Sequence, residues 1–258
     1  MELPLYQIDA FANHVFEGNP AAVCPLSEWL PVELMQNIAQ ENNLAETAFF
    51  VPTTEGFCIR WFTPLKEVDL CGHATLASAY VLFSILNYDQ AEILFDSKSG
   101  VLKVKRMNDM LEMDFPAQTP SVCECPSQLI EAFGQPLECL KAEDYLLVFE
   151  DEKMILEAKP DFSLLSEVDL RGVAITARSK KYDFVARVFA PKYGINEDPV
   201  TGSVYTQLVP YWSEKLNKLD LHARQVSSRG GEVFCSMAGD RVKISGKAVK
   251  YMEAKISI

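Results

Sequence analysis

Two short strings hold the residues best suited to chemistry, Cys71-Gly-His-Ala74 and Thr201-Gly-Ser-Val204. Each stands a loop away from an Arg-x-Phe-x-Pro string, Arg60 to Pro64 in one case and Arg187 to Pro191 in the other. In both, a strand leads through a loop to a glycine that opens a helix. Gly72-His73 and Gly202-Ser203 then present backbone N–H groups that a first helical turn leaves without intrahelical partners. A helix start also carries partial positive charge, so it can hold a carboxylate or an enolate. Two such starts facing one another would bind an anion without any basic patch. A plainer reading, in which each glycine only eases a tight turn, fits the spacing equally well.

The elements that must position these strings come in two copies. The Arg-x-Phe-x-Pro strings are offset by 127 residues (Arg60 to Arg187), and the helix-opening glycines by 130 (Gly72 to Gly202). A third echo, Ser99 to Val104 against Gly230 to Cys235, has an offset of 131 (Gly100 to Gly231). Three echoes in one order at nearly constant offset point to a duplicated unit. The spacing predicts strands at 5–11, 47–51, 57–62, 91–95, 100–106 and 111–115, and helices at 31–42 and 72–86. The second half repeats the pattern: strands at 144–150, 172–177 and 183–189, helices at 162–170 and 202–216, and further strands toward residue 258. Pro210 is expected to kink or interrupt the last helix. The expected fold class is α+β, two similar lobes at 1–118 and 119–258, each a mostly antiparallel sheet around one apolar helix. The Pro-rich stretch from Pro116 to Pro126 reads as the linker.

Bulk properties narrow the function. The 258 residues include 24 Lys and Arg against 36 Asp and Glu, a formal net charge of −12. That sign argues against nucleic acid and anionic membrane surfaces as partners. Residues 1–11 include Glu2 and Asp9 and lack a basic stretch, so they do not read as a signal peptide. The longest mostly apolar run, Ala74 to Leu86, is interrupted by Thr75, Ser78 and Ser84 and reads as a buried helix. Seven cysteines without a C-x-x-C pair, and only three histidines, give no zinc-ligand spacing and suggest a reduced, cytoplasmic protein. No nucleotide-binding glycine motif is present, so no cofactor is expected.

Four longer strings carry a specific resemblance: Gly18-Asn-Pro-Ala-Ala-Val23, Asn43-Leu-Ala-Glu-Thr-Ala-Phe49, Leu70-Cys-Gly-His-Ala-Thr-Leu76 and Asn196-Glu-Asp-Pro-Val-Thr-Gly-Ser203. They resemble the phenazine-biosynthesis (PhzF-like) family of isomerases. The resemblance implies the diaminopimelate-epimerase-like fold, an active site in the cleft between its lobes, cofactor-independent proton-shift chemistry on a small carboxylate, and a homodimer. It implies that Glu46 is the catalytic acid/base and that His73, Asp198 and Ser203 bind substrate alongside Gly72 and Gly202. At a helix start, His73 is expected to have a lowered pKa; His14 and His222 read as loop or structural residues.

Cys71 and Thr201 occupy matching positions in the two halves. Diaminopimelate epimerase sets one thiol before each helix-opening glycine, removing a proton from one face and returning one to the other. A threonine hydroxyl is too weak an acid for that task. One base, Glu46, is therefore expected to move a proton between two carbons on one face. A racemase or epimerase on the same fold would need Asp198 as its second base, and a third reading keeps the fold for binding without turnover. Val204-Tyr205 departs from the family's common Ala-His, which would alter the pocket wall.

Overall fold

The computed structural model describes residues 1–258 and divides the chain into two compact units, Met1–Asp114 with Ser245–Ile258, and Phe115–Ile244. In the first unit the elements are β1 (Glu2–Ala10), β2 (Asn19–Pro25), α1 (Val32–Asn42), β3 (Glu46–Pro52), β4 (Phe57–Phe62), β5 (Glu67–Val68), α2 (Gly72–Tyr80), β6 (Glu92–Ser97), β7 (Gly100–Met107) and most of β8 (Met110–Pro116). Neighbouring strands pair antiparallel except where a helix intervenes. β2 and β3 run parallel across α1, and β4 and β6 run parallel across α2. α1 buries Met35, Ile38 and Ala39 in a cluster with Phe49 and Phe62. α2 is buried from Gly72 to Ala79, polar residues included. The Thr75 and Ser78 hydroxyls solve their burial by donating to the carbonyls of Cys71 (2.6 Å) and Ala74 (2.8 Å), one turn back.

The second unit contains β9 (Ser121–Val122), α3 (Ser127–Phe133), β10 (Glu138–Lys141), β11 (Tyr145–Phe149), α4 (Glu152–Glu157), α5 (Phe162–Ser166), β12 (Val173–Arg178), β13 (Phe184–Ala190), β14 (Ile195–Asp198), α6 (Tyr205–Leu216), β15 (Asp220–Gln225), β16 (Gly231–Ala238) and most of β17 (Arg241–Gly246). Its pairing repeats that of the first unit. β11 and β12 are parallel across α4 and α5, and β13 and β15 are parallel across the buried α6. The repeat extends to side chains. Arg60 grips Glu67 through Nε (2.7 Å) and Nη2 (2.9 Å), and Arg187 grips Glu197 at the same two distances. Each guanidinium also lies over the phenylalanine two residues on, Phe62 at 5.4 Å and Phe189 at 5.2 Å. This bidentate clamp ties the loop leaving β4 or β13 to the strand it left. The chain then returns to the first unit as β18 (Ala248–Ser257), antiparallel to β1.

Several expectations need correcting. The lobe boundary falls at 114/115 instead of 118/119, and residues 245–258 rejoin the first unit because β1 recruits β18 along its free edge. The stretch 19–25 is a strand despite Pro20 and its small residues, since β1 and β3 hold it on both sides. The helix expected at 202–216 opens as a 3₁₀ turn, Gly202–Val204, and becomes α-helical at Tyr205. Pro210 does not interrupt it. A proline leaves the carbonyl four residues back without a partner, and here that carbonyl, on Thr206, accepts the N–H of Gln118 at 2.9 Å. The helix expected to Leu86 is α-helical only to Tyr80 and continues as a π-turn, Val81–Ile85. The helix expected at 162–170 stops at Ser166, and α3 and α4 arise where none was anticipated.

Candidate active site

Glu46 opens β3 just after α1 ends at Asn43, which takes the left-handed conformation (φ 48°). The parallel register sets Glu46 beside Ala21 of β2. His73 is the second residue of α2, with Cys71 capping that helix start. These elements bring Glu46 (8 % exposed) and His73 (4 % exposed) together, with Oε2 of the carboxylate 3.0 Å from Nε2 of the imidazole. The two atoms lie off the line of a hydrogen bond, so neither has a well-aligned partner. Buried polar atoms are almost always satisfied, and such a pair is where an incoming polar group would bind.

The other side of the ring is held firmly. Nδ1 lies 3.2 Å from the side-chain amide nitrogen of Asn19 and 3.6 Å from the Cys71 sulfur. With Asn19 donating to Nδ1, a neutral imidazole carries its proton on Nε2, toward Glu46. Asn19 starts β2, and Gly18 delivers it there with φ +65°; a Cβ on Gly18 would fall 2.1 Å from the Ala10 carbonyl oxygen. Sequence reasoning gave Asn19 no role, although it sits inside one of the strings that carry the family resemblance.

The lowered pKa expected for His73 is not what this environment produces. Burial does oppose a charged imidazole, but the Cys71 sulfur and the Glu46 carboxylate outweigh it and raise the His73 pKa above its ordinary value. Cys71 moves the other way from a reactive thiol: burial, and then the charge of Glu46, push it up to about 11. It is a protonated thiol at neutral pH and a poor base. Glu46, Cys71 and His73 nonetheless offer one ligand atom each within 4.8 Å of one another, a donor set able to hold a soft divalent cation.

Asp198, Gly202 and Ser203 group within the second unit. Asp198 ends β14, and its Oδ2 accepts the Thr201 hydroxyl at 2.5 Å. Gln225, fully buried at the end of β15, fastens this loop. Its amide donates to the Asp198 carbonyl (2.6 Å), and its oxygen accepts the Thr201 N–H (2.9 Å). Gln225 also went unnoticed in sequence, having no counterpart in the matched strings. Val204 and Tyr205 are core residues, with Tyr205 packed against Phe184. His222 stacks on Phe234, a structural role as expected, and His14 is exposed in a loop.

The repeat shows where the chemistry is not duplicated. Thr47 pairs with Phe62 and Val173 with Phe189, so the position equivalent to Glu46 is Gly172. A Cβ at Gly172 would lie 2.6 Å from the Phe189 carbonyl oxygen, which bars any side chain there without a shift. His73 corresponds to Ser203 and Cys71 to Thr201. The carboxylate at the start of the inner strand therefore occurs once.

Comparison with known proteins gives the family and the fold. Residues 8–254 match the family model described as phenazine biosynthesis-like protein. An uncharacterized isomerase of Pseudomonas aeruginosa is 52% identical over 259 residues, covering all of both chains. The crystal structure of a phenazine biosynthesis protein of the PhzF family from Enterococcus faecalis superposes with a TM-score of 0.98 at 44% identity, again over the whole of both chains. A hydroxyproline epimerase from Agrobacterium vitis shares the fold alone, with a TM-score of 0.62 at 8% identity over 99% of this chain and 92% of the epimerase.

Proposed function

The chain belongs to the phenazine biosynthesis-like family and is an isomerase, and from that premise we propose that it moves a proton within a small, carboxylate-bearing substrate with Glu46 as the general acid/base. The observation that carries the proposal is the buried Glu46–His73 pair, 3.0 Å apart, with neither facing atom in an aligned hydrogen bond. Glu46 takes a proton from an activated carbon, and the electron pair left behind spreads into the conjugated carboxylate. Glu46 then returns the proton to another carbon on the same face. His73 holds the carboxylate through Nε2–H before the transfer and steadies the carboxylic acid after it.

We assign substrate binding to Gly72 and His73 in the first unit and to Asp198, Gly202 and Ser203 in the second. Backbone N–H groups at Gly72 and Gly202 stabilise the charge that develops, an electrostatic contribution that costs no reorganisation during the step. Asp198, fixed by Thr201 and Gln225, orients the substrate's polar groups. One base suffices for a shift between two carbons. The protonated thiol at Cys71 and the glycine at position 172 support a single base over a two-base racemase. No cofactor enters this scheme, and a homodimer is its expected assembly, to be checked by sedimentation.

The test is to incubate the protein in deuterium oxide with a panel of small carboxylic acids, β,γ-unsaturated and cyclic members included, and to follow them by NMR. Proton transfer between two carbons of one compound supports the proposal. Exchange with inversion at a single carbon would replace it by an epimerase. A panel that leaves every C–H untouched, while one member binds tightly, would remove proton transfer from the reading.

A further inference from the structure

Three of the seven cysteines converge in the second unit, on residues that the proposed chemistry does not use. Cys123 follows β9 and Cys139 lies in β10, and all three, Cys125 included, are free thiols. The register that pairs Val122 with Leu140 sets Cys123 directly opposite Cys139, whose carbonyl accepts the Cys123 N–H at 3.0 Å. The two sulfurs are 3.6 Å apart. Opposed residues of an antiparallel pair have Cα atoms about 4.5–5.5 Å apart, inside the roughly 4.4–6.8 Å that disulfides span. Side-chain rotation alone can therefore close the gap. Cys125, two residues on, is a third, half-buried free thiol beside this pair.

We propose that Cys123 and Cys139 form an oxidative modification site, converted by a hydroperoxide into an intramolecular disulfide. Cys123 is half-buried and Cys139 buried, so the oxidant reaches Cys123 first. The Cys123 thiolate takes one oxygen from hydrogen peroxide, giving a sulfenic acid and hydroxide, which picks up the thiol's proton to leave as water. The Cys139 sulfur attacks that sulfenic sulfur, the S–S bond forms, and the sulfenic oxygen departs as a second water with the Cys139 proton. Two thiols and one peroxide thus become one disulfide and two waters, with two electrons passing from sulfur to oxygen. Burial, reinforced by the neighbouring thiols, raises the Cys139 pKa, which makes it the resolving partner and the second step slow. The product staples a loop whose ends are 16 positions apart and which contains α3, fixing that helix and its Gly134 turn to β10.

The experiment treats the reduced full-length chain with hydrogen peroxide at neutral pH, alkylates the remaining thiols and maps the peptides by mass spectrometry. The expected product has lost two hydrogens, links Cys123 to Cys139 and reverts with dithiothreitol. Crosslinking should rise with pH as the resolving thiol ionises. Cys123→Ser, at a half-buried position, should keep the native circular dichroism spectrum and lose the crosslink, and Cys125→Ser should retain it. Full alkylation of Cys139 after peroxide treatment would overturn the proposal. So would oxidation that stops at a sulfinic acid on Cys123, or a wild-type crosslink joining Cys125 to Cys139.

Discussion

Replacing Glu46 by glutamine separates proton transfer from shape. Glutamine fills nearly the same volume at the buried start of β3 and can still reach His73, but its amide neither accepts nor returns a proton at neutral pH. Positioned acid/base groups contribute roughly 100- to 10,000-fold, which at about 1.36 kcal/mol per tenfold is about 3–5 kcal/mol of barrier. Turnover should fall by at least that lower figure, while affinity for a substrate analogue stays within about tenfold, since the binding groups are untouched. The variant also reports on His73. Burial opposes its charge, and Cys71 and Glu46 overcome that opposition. A group whose folded pKa is raised stabilises fully below its unfolded value, about 6.5 for histidine, and loses that contribution as pH climbs through the folded pKa. The stability gap between wild type and Glu46→Gln should therefore be widest in mild acid and close toward alkaline pH. NMR in deuterium oxide measures the turnover, calorimetry the binding, and urea unfolding across a pH series the gap. Wild-type turnover in the variant would take Glu46 out of the chemical step. A stability gap that is flat with pH would mean that the two side chains share no charge.

Cys71→Ser should keep turnover within about tenfold, because the thiol it replaces is already protonated; a loss as large as that of Glu46→Gln would make the thiol a reactant. Asn19→Ala should cut turnover by roughly tenfold, the scale of one lost hydrogen bond of about 1–1.5 kcal/mol to the ring that holds Glu46, and an unchanged rate would show that Nδ1 needs no partner. Chelators should leave turnover intact, whereas zinc, captured by Glu46, Cys71 and His73, should inhibit in competition with substrate, and chelator-sensitive turnover restored by one metal would contradict the scheme. Glu67 is held down at about 2 by the Arg60 guanidinium, against burial and with help from Lys98. Its stabilisation is present above the unfolded glutamate value and disappears as pH falls toward about 2. Glu67→Gln should accordingly lower stability near neutral pH, with the gap to wild type closing as pH falls toward about 2, and a gap that does not change with pH would disprove it.

The duplication was legible because its marks are local strings: an arginine, a phenylalanine and a proline at fixed spacing before a glycine-led helix. The reason for those residues, a guanidinium clamped to a glutamate and stacked on the phenylalanine, emerges only in three dimensions. Central α2 was readable from its mostly apolar composition, with Thr75 and Ser78 small enough to be buried. β2 was not, since Pro20, Ala21 and Ala22 have little strand preference and owe their conformation to the strands on either side. Pro210 misled because its disruptive effect depends on whether the freed carbonyl finds another donor, and Gln118, far back in the chain, supplies one. Glu46 could be singled out only through the family resemblance, as a lone glutamate before a strand is commonplace. Its pairing with His73 depends on the register of β3 and the depth at which α2 is buried. The Asn19 and Gln225 supports lie at strand ends and depend on the same tertiary placement.

The return of β18 to β1 also bears on the order in which the chain can fold during synthesis. Residues 115–244 form a unit contiguous in sequence and can fold as soon as they leave the ribosome. The unit that carries Glu46 and His73 is made first, yet its β1 edge stays unpaired until residues 245–258 have followed. At about 5–20 residues per second, the wait is on the order of ten seconds. For that interval the nascent chain exposes a strand edge able to recruit a stranger's backbone. Slow codons within 115–244 would lengthen that interval and so change the yield of folded protein without altering one residue of it.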